Sequence, residues 1–372
     1  MILTVALLVL GLVLLVVGGE LLVRGGSGLG RAVGLSPLVI GLTVVAFATS
    51  APELAVSVDA AVSGAPGIAV GNVVGSNISN ILLVLGLAAL VLPIAVRSQL
   101  VRVDVPVMVV FSVLALVAAW DGAVSRPEGV VLLAALVAYV VMSLRIARRP
   151  GEQAPVDDAA AAPATDDDAP PRPRPLRDVG LVLAGVALLV LGARLLVGSA
   201  TTIAQAVGLS DLVIGLTVVA IGTSLPEVAT SVIAAVRGER EMAIGNVLGS
   251  NIFNIGAVLG LTALIAPDGV PVADAAIRFD LPVMVVVALV VLPVVFTGAQ
   301  ISRWEAVAFL AYYVAYIAYL LLAAADHDAL PVLSTALVWF VAPMTALLLA
   351  LLTAHEFRAR RRRRAEHRPP GP

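Results

Sequence analysis

The sequence predicts an all-α polytopic membrane protein built of two five-helix inverted repeats, with ten core transmembrane helices and an eleventh C-terminal transmembrane helix. The 372-residue chain is 60% hydrophobic and 13% charged, which is about half the charged fraction of a soluble domain. Apolar runs long enough to cross a bilayer recur along its whole length. In addition, residues 34–58 and 208–232 align without a gap at an offset of 174, with 19 of 25 positions identical.

Eleven apolar segments have the length of a transmembrane helix, about 20 residues each. We expect the first to be a true span rather than a signal peptide, because it lacks a basic N-terminal region and matches a segment near residues 180–205. The predicted spans are residues 2–24, 37–63, 68–92, 104–121, 127–146, 179–204, 211–236, 243–266, 280–297, 303–324 and 332–353.

The repeat reaches beyond its first motif. Residues 69–86 match residues 243–260 at the same offset, and residues 102–108 resemble residues 278–284. Each half therefore holds five spans, and since five is odd, we expect the halves to cross the membrane in opposite orientations and to meet near its midplane. The predicted divisions are a first repeat at 1–149, a linker at 150–178, a second repeat at 179–325, and a segment with the extra helix and an Arg-rich tail at 326–372.

The arginine distribution predicts the orientation. With the N-terminus outside, most loop arginines and the Arg-rich tail lie inside, and only Arg126, Arg194 and Arg278 lie outside. We therefore expect a multi-pass protein of the cytoplasmic membrane with its C-terminus inside and a disordered cytoplasmic linker. The tail is interpreted as an anchor to anionic lipid rather than a nucleic-acid site. The lipid bilayer is the expected partner, with no nucleic acid and no obligatory protein partner.

Each repeat places one acid in an apolar segment, Glu53 in Thr-Ser-Ala-Pro-Glu and Glu227 in Thr-Ser-Leu-Pro-Glu. No basic residue lies within either motif, and a charge at mid-membrane costs about 2.5–3.5 kcal/mol. The proline removes one backbone donor and should free the carbonyl of Ala48 in one copy and of Gly222 in the other. A free carbonyl at this depth is tolerated where it lines a cavity or meets a ligand, so both motifs are candidate ligand sites.

All the donors that the two motifs offer are hard oxygens, which suit Na⁺ or Ca²⁺. One Ca²⁺ would balance the two glutamates, and an empty site would leave two carboxylates repelling each other, which predicts exchange rather than uniport. In the second motif, polar residues recur every four positions on one stripe of each helix. For Asn72 and Asn246, a role in holding helices together is as good an explanation as ion binding.

Several classes are excluded or disfavoured. The chain has no cysteine, which excludes thiol catalysis and thiolate metal sites. Neither a Walker A sequence nor a nucleophile elbow is present, so we expect no enzyme and no cofactor. The alternatives to a Na⁺/Ca²⁺ antiporter are a Ca²⁺/H⁺ antiporter using the same two glutamates, a cation channel, and a membrane scaffold without transport.

The motifs Gly-Thr-Ser-x-Pro-Glu and Gly-Asn-x-x-Gly-Ser-Asn-Ile-x-Asn-Ile, each present twice, resemble those of the sodium/calcium exchanger branch of the cation/calcium antiporter superfamily, in its prokaryotic form. Ala48 replaces the first Gly in one copy. The resemblance implies secondary active exchange of Ca²⁺ for Na⁺ by alternating access, with the ions bound between the second, third, seventh and eighth helices. The proton-coupled branch carries an acid in Gly-Asn-Ala-x-Glu, which is missing here, so the resemblance favours sodium.

The resemblance also implies a role for each residue that matches the motifs. The two glutamates would bind both ions, threonine backbone oxygens would bind calcium, serine hydroxyls and two alanine carbonyls would bind sodium, and two asparagines would complete the centre. Asn254, where some relatives have Asp, argues against potassium dependence. The residues implied are Glu53, Glu227, Thr49, Thr223, Ser50, Ser224, Ser76, Ser250, Asn80, Asn254, Ala46 and Ala220.

Overall fold

A computed structural model describes residues 2–147, 175–206, 220–296, 300–325, 327, 329–337, 339, 343–347, 350 and 354. The main helices are α1 (Ile2–Val33), α2 (Pro37–Thr49), α3 (Ala51–Val62), α4 (Pro66–Val91), α5 (Leu100–Ala118), α6 (Arg126–Ala147), α7 (Pro175–Ala206), α8 (Ala220–Thr223), α9 (Leu225–Val236), α10 (Arg240–Ile265), α11 (Ala276–Phe296), α12 (Arg303–Ala324) and α13 (Leu330–Ala336). Four two-residue strands are β1 (Ile94–Ala95), β2 (Ala123–Val124), β3 (Val270–Pro271) and β4 (Gln300–Ile301).

In the described part of the chain, eight helices are long and apolar enough to cross a membrane, or nine if α2 and α3, which meet at a bend of 40°, form one broken span. All nine correspond to predicted spans. The predicted span at 211–236 is described only from residue 220, as α8 and α9. The predicted eleventh span at 332–353 lies largely outside the described residues, apart from α13 and a few positions beyond it.

Two predicted boundaries near α1 and α7 need correction. Helix α1 continues to Val33 instead of ending at residue 24. Helix α7 begins at Pro175, so the last four residues of the predicted 150–178 linker are helical; the rest of that linker, up to residue 174, lies outside the described residues. Proline is favoured at the first position of a helix, and Asp178 in the first turn is buried against α1, where Gly28 leaves room for its carboxylate.

Glycines set the contact between α1 and α7, the first helices of the two halves. A Cβ on Gly11 would lie 2.8 Å from the carbonyl oxygen of Gly192, and a Cβ on Gly18 would lie 2.9 Å from that of Gly185. The two backbones therefore touch directly, the close approach that small residues allow between membrane helices. Both helices keep an apolar outer face, since only 22% of the most apolar window of each is buried.

Helices α4 and α10 occupy the interior of the bundle. In their most apolar windows 78% and 83% of the residues are buried, against 17–39% for the other long helices. Helix α10 packs tightly on α2: a Cβ on Gly245 would lie 2.6 Å from the carbonyl oxygen of Leu38. The polar stripes predicted on α4 and α10 are therefore at the centre of the molecule and face other helices.

The strands join the two halves. β1 pairs antiparallel with β4, with Ile94 opposite Ile301, and β2 pairs antiparallel with β3, with Val124 opposite Val270. β1 follows α4 and β3 follows α10, while β2 precedes α6 and β4 precedes α12. In each ladder, one strand follows the inner helix of one half. Its partner strand comes just before α6 or α12 in the other half.

Candidate ion-binding site

A break in the helix positions each glutamate. α2 ends at Thr49 and α3 begins at Ala51, with Ser50 between them at φ −79° and ψ −1°; the equivalent Ser224 has φ −87° and ψ 3°. Both values lie near the bridge region, outside regular helix. The following proline has no N–H and its ring clashes one turn back. Glu53 and Glu227 consequently lie in the first turn of a new helix, where unsatisfied N–H groups favour negative charge.

Both glutamates are enclosed by protein. Glu53 is 0% exposed and Glu227 is 1% exposed. Their carboxylates accept no hydrogen bond of normal geometry from the described residues, although the Thr49 hydroxyl lies beside Glu227. The two carboxylates interact electrostatically with each other, and none of the ion pairs among the described residues includes them. Two like charges buried in protein require a cation or protons to neutralise them.

The two asparagine turns pack against the helices that carry the glutamates. The turn that starts at Asn80 packs against α9, and the turn that starts at Asn254 packs against α3, so each asparagine turn meets the glutamate helix of the other half. Within the described residues, the hydroxyls of Ser50 and Ser224 and both amide atoms of the two asparagines have no hydrogen-bond partner. Buried polar atoms are rarely left unpaired, which indicates a ligand that takes oxygen donors.

Threonine and alanine positions of the predicted site have mixed roles. The Thr49 hydroxyl donates to Asn246 Oδ1 at 3.1 Å and lies 3.3 Å from Ser250 Oγ. The Ala46 carbonyl accepts the Ser50 N–H at 3.0 Å, so it keeps a bond to the backbone. Thr223 and Ser76 both line one cavity of about 400 Å³. Ala220 is the first residue of α8, and its backbone alone is described.

Asn72 and Asn246 hold helices together. Their side-chain Nδ2 atoms each donate to a serine at 2.9 Å, Asn72 to Ser57 on α3 and Asn246 to Ser231 on α9. Asn72 Nδ2 also donates to the Glu53 carbonyl at 3.1 Å. Both serines are fully buried, and each lies four residues after its glutamate. That matched spacing in the two copies was the signal that could have identified them from sequence.

The asparagine turns have a backbone form that the sequence analysis missed. Residues Asn80–Leu85 and Asn254–Leu259 are wound as π-helix inside α4 and α10. A π-helical turn is uncommon and often marks a functional site, because it shifts the direction of the side chains that follow. It begins at the equivalent asparagine in both copies, so it is a feature of the repeated architecture rather than a local irregularity.

The donor set limits the kind of ion. Among the described residues no three His, Cys, Asp or Glu side chains come together as a metal cluster. Two carboxylates with serine hydroxyls, asparagine amides and backbone carbonyls are left. This all-oxygen set, with a charge of −2, fits Ca²⁺ or Na⁺ and lacks the nitrogen and sulfur ligands that transition metals prefer.

Comparison with known proteins identifies the family. The protein family described as "Sodium/calcium exchanger protein" matches residues 3–145 and 178–322. The chain is 42% identical to "Putative antiporter CaxA" of Alkalimonas amylolytica over 66% of this chain and 76% of that protein. It is 38% identical to "Inner membrane protein YrbG" of Escherichia coli over 78% and 88%, and 34% identical to "Sodium/calcium exchanger MaX1" of Methanosarcina acetivorans over 78% and 90%.

A solved structure is similar over most of the chain. The sodium-calcium exchanger NCX_Mj, soaked with Na⁺ and Ca²⁺, superposes with a TM-score of 0.71 at 36% identity, covering 86% of this chain and 98% of that one. The family match spans both halves of the chain and includes both glutamate motifs. The chain therefore belongs to the sodium/calcium exchanger family, whose members are cation/calcium antiporters and not enzymes, and it is an integral multi-pass membrane protein.

Proposed function

We propose that this protein is a secondary active antiporter that exchanges Ca²⁺ for Na⁺ across the cytoplasmic membrane by alternating access. The observation that carries the proposal is the pair of buried, unpaired carboxylates, Glu53 and Glu227, at matching helix breaks. One Ca²⁺ balances their charge, and neighbouring oxygens help to reach the six to eight ligands that calcium takes. Relatives named as sodium/calcium exchangers support the same pair of ions.

The proposed site lies between the second, third, seventh and eighth spans. The bonded hydroxyl of Thr49 supports a backbone contribution from this residue, whereas the unpartnered hydroxyls of Ser50 and Ser224 support side-chain ligation. Calcium takes the two glutamates and the backbone oxygens of the threonines, and sodium takes the glutamates, serines and alanine carbonyls. The set is Glu53, Glu227, Thr49, Thr223, Ser50, Ser224, Ser76, Ser250, Asn80, Asn254, Ala46 and Ala220.

The architecture that goes with this mechanism is the pair of five-helix inverted repeats with an eleventh helix, the N-terminus outside and the C-terminus inside. Two observations support the repeat. The two strand ladders connect equivalent parts of the halves in exchanged order, and the glycines that touch between α1 and α7 occupy matching positions of the two copies. The arginine asymmetry supports the orientation.

Coupling follows from the charge of the empty site. Two carboxylates that repel each other in a low dielectric resist the change of access until cations bind, so a loaded site is needed in each direction. Because Na⁺ carries half the charge of Ca²⁺, several Na⁺ ions must bind to balance the site. The hydroxyls beside the glutamates supply ligands for these ions. Protons would neutralise the glutamates without using those hydroxyls, and for this reason we favour sodium over the Ca²⁺/H⁺ alternative.

Reconstitution tests the proposal. Vesicles loaded with Na⁺ and diluted into Na⁺-free medium should accumulate radioactive calcium, and vesicles with only an imposed pH gradient should not. Glu53→Gln provides the inactive control. Calcium uptake that follows the pH gradient and ignores sodium would show a Ca²⁺/H⁺ antiporter, and uptake that needs no gradient of either ion would contradict exchange.

A further inference from the structure

A second acidic residue is repeated in the membrane part of the chain. Asp104 accepts a hydrogen bond from the Tyr139 hydroxyl at 3.1 Å, and Asp280 accepts one from the Tyr316 hydroxyl at 3.4 Å. Each aspartate is the last residue of a π-helical turn, at the start of α5 in one half and of α11 in the other. Neither Asp–Tyr pair belongs to the ion site described above. The two pairs occupy equivalent positions in the two halves.

The two copies have different surroundings. Asp104 is 0% exposed and Tyr139 is 3% exposed, so this pair is closed in by protein. Asp280 and Tyr316 are only half-buried, and both line a cavity of about 400 Å³. A single water occupies about 30 Å³ in the liquid, so the cavity has room for a cation with much of its hydration shell.

This cavity, called the vestibule below, leads to the ion site. Its polar lining consists of Asn72, Ser76, Thr223, Asp280, Tyr313 and Tyr316. Ser76 and Thr223 are residues of the proposed ion site, and Asn72 is bonded to the backbone of Glu53 at 3.1 Å. One end of the vestibule therefore reaches the candidate site. Among the described residues that line the vestibule, Asp280 is the one acidic residue.

The charge of Asp280 is not neutralised by the described basic residues. Arg278, two positions earlier, pairs at 3.7 Å with Asp274 instead, and the side chains of that pair are 82% and 85% exposed. The remaining ion pairs of the described chain also leave Asp280 out. A single charge inside a cleft with apolar walls focuses its field and raises the local concentration of counter-ions.

We propose that Asp280, supported by the Tyr316 hydroxyl, is a second and weaker cation site that collects hydrated Ca²⁺ or Na⁺ in the vestibule before the ion moves to Ser76, Thr223 and the two glutamates. The later movement of the ion from Asp280 to the glutamates rests on the proposed function. A single carboxylate with phenol oxygens gives weak binding, which lets the ion move on.

Chemical labelling tests this site without transport. The chain has no cysteine, so Ile317→Cys, in the vestibule wall, provides a unique thiol. A cationic methanethiosulfonate reagent should react with it faster than an anionic reagent of similar size, and added Ca²⁺ should slow the cationic reaction. Adding Asp280→Asn should lower the cation-to-anion rate ratio about tenfold and abolish the calcium effect.

Two further variants separate charge from folding. Asp104→Asn, the buried equivalent, should leave the labelling ratio within about twofold of the parent, and Asp280→Glu should restore it because the charge is kept. Melting curves check that each variant is folded. A ratio unchanged by Asp280→Asn, or a thiol at position 317 that neither reagent reaches, would overturn the proposal.

Transport gives an independent measure. Asp280→Asn should raise the KM for Ca²⁺ about tenfold and that for Na⁺ about threefold, because a monovalent ion feels half the interaction energy, with kcat within about twofold. A fall in kcat with an unchanged KM would indicate a structural role and overturn the site. If the parent protein shows no sodium-driven uptake, the proposed function fails, while the labelling ratio still decides the vestibule site.

Discussion

Replacing Glu53 by Gln tests the charge balance on which the ion site depends. Glutamine keeps the size and one carbonyl oxygen but removes one of the two negative charges, and Glu53 is 0% exposed, so water cannot compensate. Removing one partner of a buried charge pair costs about 3–5 kcal/mol. At 1.4 kcal/mol per decade, calcium affinity should fall by about 150-fold or more.

Thermal unfolding measures that loss in the detergent-solubilised protein. At calcium 100 times the dissociation constant of the parent, binding stabilises the folded state by about 2.7 kcal/mol. With affinity 150-fold weaker, the same calcium stabilises Glu53→Gln by only about 0.3 kcal/mol. Without calcium, the variant should melt no lower than the parent, because neutralising Glu53 removes its repulsion from Glu227.

Asp59→Asn is the matched control. Asp59 lies on the same helix, α3, and is exposed, so its neutralisation should leave the calcium-dependent shift of the melting temperature unchanged. A shift in Glu53→Gln as large as that of the parent would refute the assignment of this glutamate. Loss of the shift in Asp59→Asn as well would show that the effect comes from general charge and not from the site.

Three further predictions concern orientation, packing and net charge. An impermeant maleimide should label Ala325→Cys but not Ala160→Cys in intact cells, since the linker is predicted to be cytoplasmic; labelling at position 160 would reverse the topology. Gly245→Ala should destabilise the protein by about 1–3 kcal/mol, because its Cβ would lie 2.6 Å from a carbonyl oxygen of α2. Gly67→Ala should not, because a Cβ there would meet no described atom within 4 Å beyond its chain neighbours and the nearby backbone of its own helix. Equal melting of the two variants would contradict the α2–α10 packing. If the proposed exchange moves more than two Na⁺ per Ca²⁺, sodium-driven calcium uptake should accelerate when the vesicle interior is made positive. The potential then acts on the difference in charge at about 2.3 kcal/mol per charge per 100 mV. Indifference to voltage would show electroneutral exchange.

The sequence allowed the buried acids and a disturbed helix backbone at the prolines to be predicted, for reasons that are local. Glu53 follows Pro52 in an apolar run, and both facts are visible in a few residues. The repeat then doubled the inferences about both motifs at an offset of 174. In both copies the helix is interrupted at the serine two positions before the proline, Ser50 and Ser224.

Features that depend on distant contacts or small backbone shifts escaped prediction. The π-helical turn at Asn80–Leu85 has the same apolar pattern as ordinary helix. The extension of α1 to Val33 includes Gly25 and Gly28, which pack against α7. Glycines make this stretch only weakly hydrophobic, so it did not resemble part of a transmembrane helix. Asp104 and Tyr139 are 35 positions apart, so only the folded chain brings them together.

Equilibrium binding of radioactive calcium tests the central claim most directly, because it counts ions per chain without requiring transport. We predict one Ca²⁺ per chain in the parent, displaced competitively by Na⁺. A folded protein carrying both Glu53→Gln and Glu227→Gln should show no measurable binding at the same concentration. Retention of one tightly bound, sodium-displaceable Ca²⁺ in that double variant would contradict this prediction.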